Sequence, residues 1–126
     1  MNTDSYLYEN ECRAIIGAAF EVHNELGHGF LENVYQEALM FEFQERGIEF
    51  SKEKKLLIRY KGQLLDKYYV ADFLCFEKII IEIKACDSIK SEHVGQVLNY
   101  LKATQLQLAL ILNFGAKSVQ IKRIVH

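Results

Sequence analysis

Proline is absent from the 126 residues, and with no low-complexity tract or internal repeat either, nothing in the chain reads as a linker. No run of about 18 apolar residues occurs, so a membrane-spanning helix is not expected. The opening "MNTDSYLYENE" lacks the basic start and apolar run of a signal peptide, and the expectation is a soluble cytoplasmic protein forming a single domain over residues 1–126. Cysteine is scarce. Cys12, Cys75 and Cys86 are odd in number, form no C-x-x-C pair and have no histidine at zinc-site spacing; they read as small buried apolar residues. His23, His28, His93 and His126 are equally scattered, so any metal would be held by oxygen ligands. There is no G-x-S-x-G elbow, and "GHG" at Gly27–Gly29 follows a helix rather than a strand, which sets aside serine hydrolases, dehydrogenases and nucleotide kinases.

Basic charge is scarce in the first half only. Residues 1–50 hold 2 basic and 10 acidic side chains, whereas residues 51–126 hold 13 basic and 7 acidic. Much of the positive charge lies in "SKEKKLLIRYKGQLLDK", where Lys52, Lys54, Lys55 and Arg59 form a candidate phosphate-contacting group. Lysines that protect a hairpin edge from aggregation explain the same pattern.

With 50% hydrophobic residues the chain has material for one real core. Ile15, Ala19, Val22 and Leu26, with Ile16 and Phe20 beside them, predict a helix from about Ser5 to Leu26. A second helix is expected from about Leu31 to Arg46, with Leu31, Val34, Ala38 and Phe41 as its apolar stripe and Gly47 as terminator. Two strands joined at Lys61–Gly62 follow, the first long and bent, and "KIIIEIKAC" predicts a central strand buried on both faces. Val94, Val97, Leu98 and Leu101 mark a third helix over Ser91–Thr104, and "LQLALILNF" and "KSVQIKRIV" predict two last strands. The order is that of an α/β fold with a mixed sheet.

Within these apolar strands stand Asp72, Glu82 and Lys84. Glu82 and Lys84 are two apart and share a strand face. An exposed Glu–Lys pair accounts for those two but not for Asp72. If the connection between the strands has an odd number of residues, such as Phe76-Glu77-Lys78, Asp72 lies opposite Glu82; a two-residue turn sends it to the other face. Two facing carboxylates repel, and a hard divalent cation is the usual reason for a chain to keep them. Phosphodiester hydrolysis uses this set, with the cation activating water and a lysine orienting it or stabilising developing charge.

An aspartate followed about nine residues later by E-x-K at the end of an apolar strand resembles the signature of the PD-(D/E)XK nuclease superfamily, with Ala71-Asp72 standing where Pro-Asp is frequent. "GFLENVY" supplies Gly29, Glu32 and Tyr35 and is similar to the G-x-x-E-x-x-Y motif of one branch; "ADF", "IIIEIKA", "HVGQVLNYLKAT" and "LILNFG" follow in matching order, so the likeness runs from about Ile15 to Arg123. The resemblance implies an α/β, restriction-endonuclease-like core with a mixed central sheet flanked by helices. It further implies a Mg²⁺-dependent nuclease, with Mn²⁺ as substitute ion, acting on DNA or RNA.

By this resemblance Asp72 and Glu82 are metal ligands with Glu32 beside them, Lys84 is the catalytic lysine, and Gln96 holds the lysine or the water. Tyr35 and Tyr100 are supporting residues. Helix-dipole stabilisation is the alternative for Glu32, and plain solvation for Gln96. His23 and His93 are weaker candidates for the lining. A fold relative that binds nucleic acid or a protein without cleaving is the competing function. Duplex cleavage by so small a domain calls for a homodimer or a recruiting partner.

Overall fold

The computed structural model describes residues 7–126. Its elements are α1 (Glu9–Leu26), α2 (Glu32–Arg46), β1 (Phe50–Tyr60), β2 (Gln63–Cys75), β3 (Ile79–Lys84), α3 (Ser91–Thr104), β4 (Leu108–Asn113) and β5 (Gln120–Val125). The expected helix start at Ser5 lies outside the described residues. No helix among the described residues is long and apolar enough to cross a membrane.

The strands form one five-stranded sheet in the order β1-β2-β3-β4-β5, with β3 and β4 parallel and every other pair antiparallel. β3 and β4 are buried on both faces because helices cover both. On one side Phe73, Ile81, Ile83, Leu110 and Leu112 pack with Ile15, Val22, Leu39 and Phe43 of α1 and α2. On the other, Ile80, Ala109 and Ile111 pack with Val97, Tyr100 and Leu101 of α3. A parallel β3–β4 pair needs a crossover, and α3 supplies it.

The apolar stripe expected on α2 is corrected. The helix buries Tyr35, Leu39 and Phe43, while Leu31, Val34 and Phe41 face outward. Apolar side chains surround this helix, so its period alone does not select a face. On α1, Phe20 is likewise exposed.

β1 and β2 form a long hairpin closed at Lys61–Gly62, whose φ values of 49° and 81° are those of a tight two-residue turn that suits glycine at its second position. The hairpin is bent. Ala71 packs on the α3 side and Phe73 on the α1–α2 side, although they are two residues apart. The chain therefore changes face at Asp72. Glu53, lying between the pairs Lys52–Phe73 and Lys54–Ala71, has a φ of 52°. Beyond this bend the hairpin leaves β3, which pairs with β2 only through Phe73, Leu74 and Cys75.

The ends of β3 and β4 are stitched by Asn113, whose side chain is fully buried. Its Oδ1 accepts from the Cys86 and Gly115 amides, and its Nδ2 donates to the Cys86 carbonyl and to Gln120 Oε1. Gly115 passes so close that an added Cβ would lie 2.3 Å from the Cys86 backbone N and O. Gly115→Ala should therefore cost about 2–3 kcal/mol by overpacking, measured by denaturant unfolding. Gly95→Ala, at a helical position with nothing within 4 Å, should instead stabilise by about 0.5–1 kcal/mol.

Candidate functional site

The connection from β2 to β3 is Phe76-Glu77-Lys78, an odd number of residues. Phe76 and Glu77 both adopt positive φ, at 56° and 58°. Three contacts hold this costly loop: the Phe76 amide donates to the Glu49 carbonyl, the Lys78 amide to Cys75, and the Lys78 ammonium meets Glu11 of α1 at 2.8 Å. The register Phe73–Ile81 extrapolates to Asp72 opposite Glu82.

At that point the ladder stops being backbone to backbone. The Asp72 amide donates to Glu82 Oε1 at 3.3 Å, and the Ile83 amide donates to Asp72 Oδ2 at 2.7 Å. Each carboxylate thus takes a backbone amide of the facing strand, and β2 and β3 part around the pair. Glu82 is buried and Asp72 half-buried. Burial raises the pKa of both; for Glu82 the charge of Asp72 adds to it and carries the value to about 8. For Asp72 the Ile83 amide opposes the rise and Glu32 adds to it. Lys84 draws both carboxyls down again through its charge.

The gap is reached from both helical layers. From α2 come exposed Glu32, close enough for its charge to be felt at Asp72, and Gln36, whose Nε2 donates to the Asp72 carbonyl at 3.4 Å. From α3 comes Gln96, whose Oε1 accepts from Lys84 Nζ at 3.5 Å. Tyr100, one turn further, is buried with its phenol against Glu82, and burial and that carboxylate push its pKa upward. Tyr69 packs on the Tyr100 ring at 5.0 Å. An open cleft of about 450 Å³ lies beside the gap, lined by Phe30, Leu31, Glu32, Asn33 and Ala85.

Other residues singled out in the sequence lie elsewhere. Tyr35 is buried behind the site, stacked on Phe114 at 4.7 Å, with its hydroxyl donating to the Gly27 carbonyl and accepting from the Phe30 amide. It anchors the α1–α2 loop and the first turn that carries Glu32. His23 is buried against Phe114 and bonded to the Ala116 carbonyl, and His93 Nδ1 accepts from the Lys90 amide at the start of α3. Lys52, Lys54, Lys55 and Arg59 are exposed along β1, with Lys55 over the Tyr68 ring. Gln36 and Tyr69 were not singled out; only the i, i+4 relation to Glu32 pointed to Gln36.

Two hard carboxylates that burial pushes above their usual range, Glu82 further by the charge of Asp72, fit a divalent cation that keeps several waters, such as Mg²⁺. No group of three or more His, Cys, Asp or Glu among the described residues closes around a metal, so the remaining positions would fall to water and substrate.

The raised acids give stability a definite sign. A carboxyl whose folded pKa lies above its unfolded value favours the fold when protonated, so its contribution is complete below about pH 4.5 and is lost as pH climbs through about 8. Metal-free protein should therefore lose Tm between pH 5 and pH 9, and Glu82→Gln should flatten the curve. A wild-type Tm that rises over this interval would contradict the burial assigned to Glu82.

The profile of the PD-(D/E)XK nuclease superfamily matches residues 9–124. Among solved structures the fold is similar to "Crystal structure of SSO0001", with TM-score 0.60 and 19% identity, over 75% of this chain and 50% of that one. This chain thus spans about half the length of that relative, and the likeness is one of fold. No curated protein matches at a significant level. With a family match over nearly its whole length and a mixed, helix-flanked sheet, the chain belongs to the PD-(D/E)XK nuclease superfamily.

Proposed function

We propose that the chain works as one Mg²⁺-dependent nuclease domain, of the G-x-x-E-x-x-Y branch through Gly29, Glu32 and Tyr35, that hydrolyses phosphodiester bonds of DNA or RNA in the cytoplasm. The observation that carries this reading is the parting of β2 and β3 around Asp72 and Glu82, with Lys84 following on the same strand face. A structural ion pair needs no such gap: strands that only pair would continue their ladder through these positions.

In the proposed mechanism Asp72 and Glu82 would hold the ion, with Glu32 of α2 contributing its charge nearby. When bound, the ion polarises the phosphate and lowers the pKa of a coordinated water. Asp72 is oriented by the Ile83 amide, and Glu82 by the Asp72 amide and the Tyr100 phenol. Lys84, bonded to Gln96 of α3, orients the attacking water and offsets charge developing on the phosphoryl oxygens. Tyr69 and Tyr100 exclude water from the α3 side of the carboxylates. Lys52, Lys54, Lys55 and Arg59, exposed along β1, provide positive charge for the phosphate backbone. A homodimer would present two such sites to a duplex.

The test is incubation of purified protein with labelled single-stranded, duplex and branched DNA and RNA in Mg²⁺, Mn²⁺ or EDTA. Cleavage should need the divalent ion and fall by about 10²–10⁴ in Lys84→Ala. Cleavage that survives Lys84→Ala would remove the assignment. Binding without cleavage in any metal would replace it with a non-cleaving relative of the same fold.

A further inference from the structure

Two apolar surfaces have no partner among the described residues, and they complement each other. The first is the outer face of α2, where Leu31, Val34 and Phe41 are 72%, 36% and 60% exposed. With Ala38 they follow a 3-4-3 spacing along one helix side, over about 15 Å. The second is one face of the β1–β2 hairpin. Leu57 pairs with Tyr68 and Lys55 with Val70, so all four project together. Leu57, Tyr68 and Val70 are 50%, 46% and 42% exposed. The opposite hairpin face is already used, since Leu56 and Tyr69 pack into the α3-side core.

Charge selects the pairing. Glu32, Glu37, Glu42 and Glu45 against Arg46 leave α2 at −3, while the hairpin from Ser51 to Val70 carries +4 from six basic residues against Glu53 and Asp66. Two α2 helices would bring like charges together, as would two hairpins. The hairpin face runs roughly 7 Å along the strands from Leu57 to Lys55 and is two strands wide, so it covers about half of the helix stripe. We propose that a second copy of this chain covers these faces, each hairpin lying on the partner's α2 in a closed two-fold dimer. Reciprocity satisfies both surfaces on both copies at once, which a one-way contact would leave open at its ends. Leu31 and Glu32 also line the cleft, so the basic hairpin of the other copy would border the candidate site. Lys54, which alternates with Lys55 along β1, stays free of this contact.

The test is light-scattering mass over a concentration series, with no nucleic acid or metal present, so it stands apart from the nuclease reading. Wild-type protein should give the dimer mass, and added salt should weaken it. Phe41→Asp and Leu57→Asp, both at exposed positions, should leave thermal unfolding nearly unchanged and each weaken dimerisation by roughly tenfold or more. Mixing the two should restore part of the association, because one intact helix then meets one intact hairpin. Monomeric wild-type protein would overturn the proposal. So would sensitivity to only one of the substitutions, or a mixture no more associated than either variant alone.

Discussion

Asp72 and Glu82 each accept a backbone amide from the strand that the other belongs to, and the rest of the site depends on this exchange. It ends the β2–β3 ladder after Phe73 and opens the gap that Glu32 and Gln36 approach from one layer and Gln96 and Tyr100 from the other. The exchange requires an odd connection between the strands. A one-residue change would turn Asp72 toward the opposite face. The chain holds that connection against the cost of two non-glycine residues at positive φ, with Lys78 pinned to Glu11 across the loop. The α1 helix thereby contributes to the site from a distance.

Burial works against the pair in the absence of a cation. The charge of Lys84 does not outweigh desolvation, and the carboxyls retain protons above their usual range, Glu82 up to about pH 8. A divalent ion would displace those protons, so binding and deprotonation are linked in this geometry. In the proposed reading, a two-carboxylate donor set would leave room for water and phosphate oxygens, as hydrolysis requires. Tyr100 is also part of this balance: its phenol is placed to donate to Glu82 and to fix the carboxylate's direction without adding charge.

Much of the fold was legible because several elements carry one unambiguous signal. β3 reads as a buried centre from its Ile-rich run, and α3 as a helix from a stripe that the structure buries at Val97 and Leu101. The buried face of α2 differs from the sequence expectation for a physical reason. It has two apolar faces, Tyr35-Leu39-Phe43 and Leu31-Val34-Phe41, and only the packed structure shows that the core takes the first. The candidate site was legible in its residue types and in the dependence on loop parity. The approach of Gln36 was not, because it depends on how α2 lies against the bend in β2, and neither was the Tyr69–Tyr100 contact, which depends on the hairpin curling toward α3. These are tertiary facts with no local pattern.

The central claim is that Asp72 and Glu82 form one cation site. Calorimetric titration of Mn²⁺ into the protein, without nucleic acid, tests it most directly when wild type is compared with Asp72→Asn and Glu82→Gln. One ion per chain should bind wild-type protein, more tightly and with less proton release as pH rises through 8, and each substitution should weaken it by about tenfold or more. Binding of equal strength in all three proteins would contradict the account.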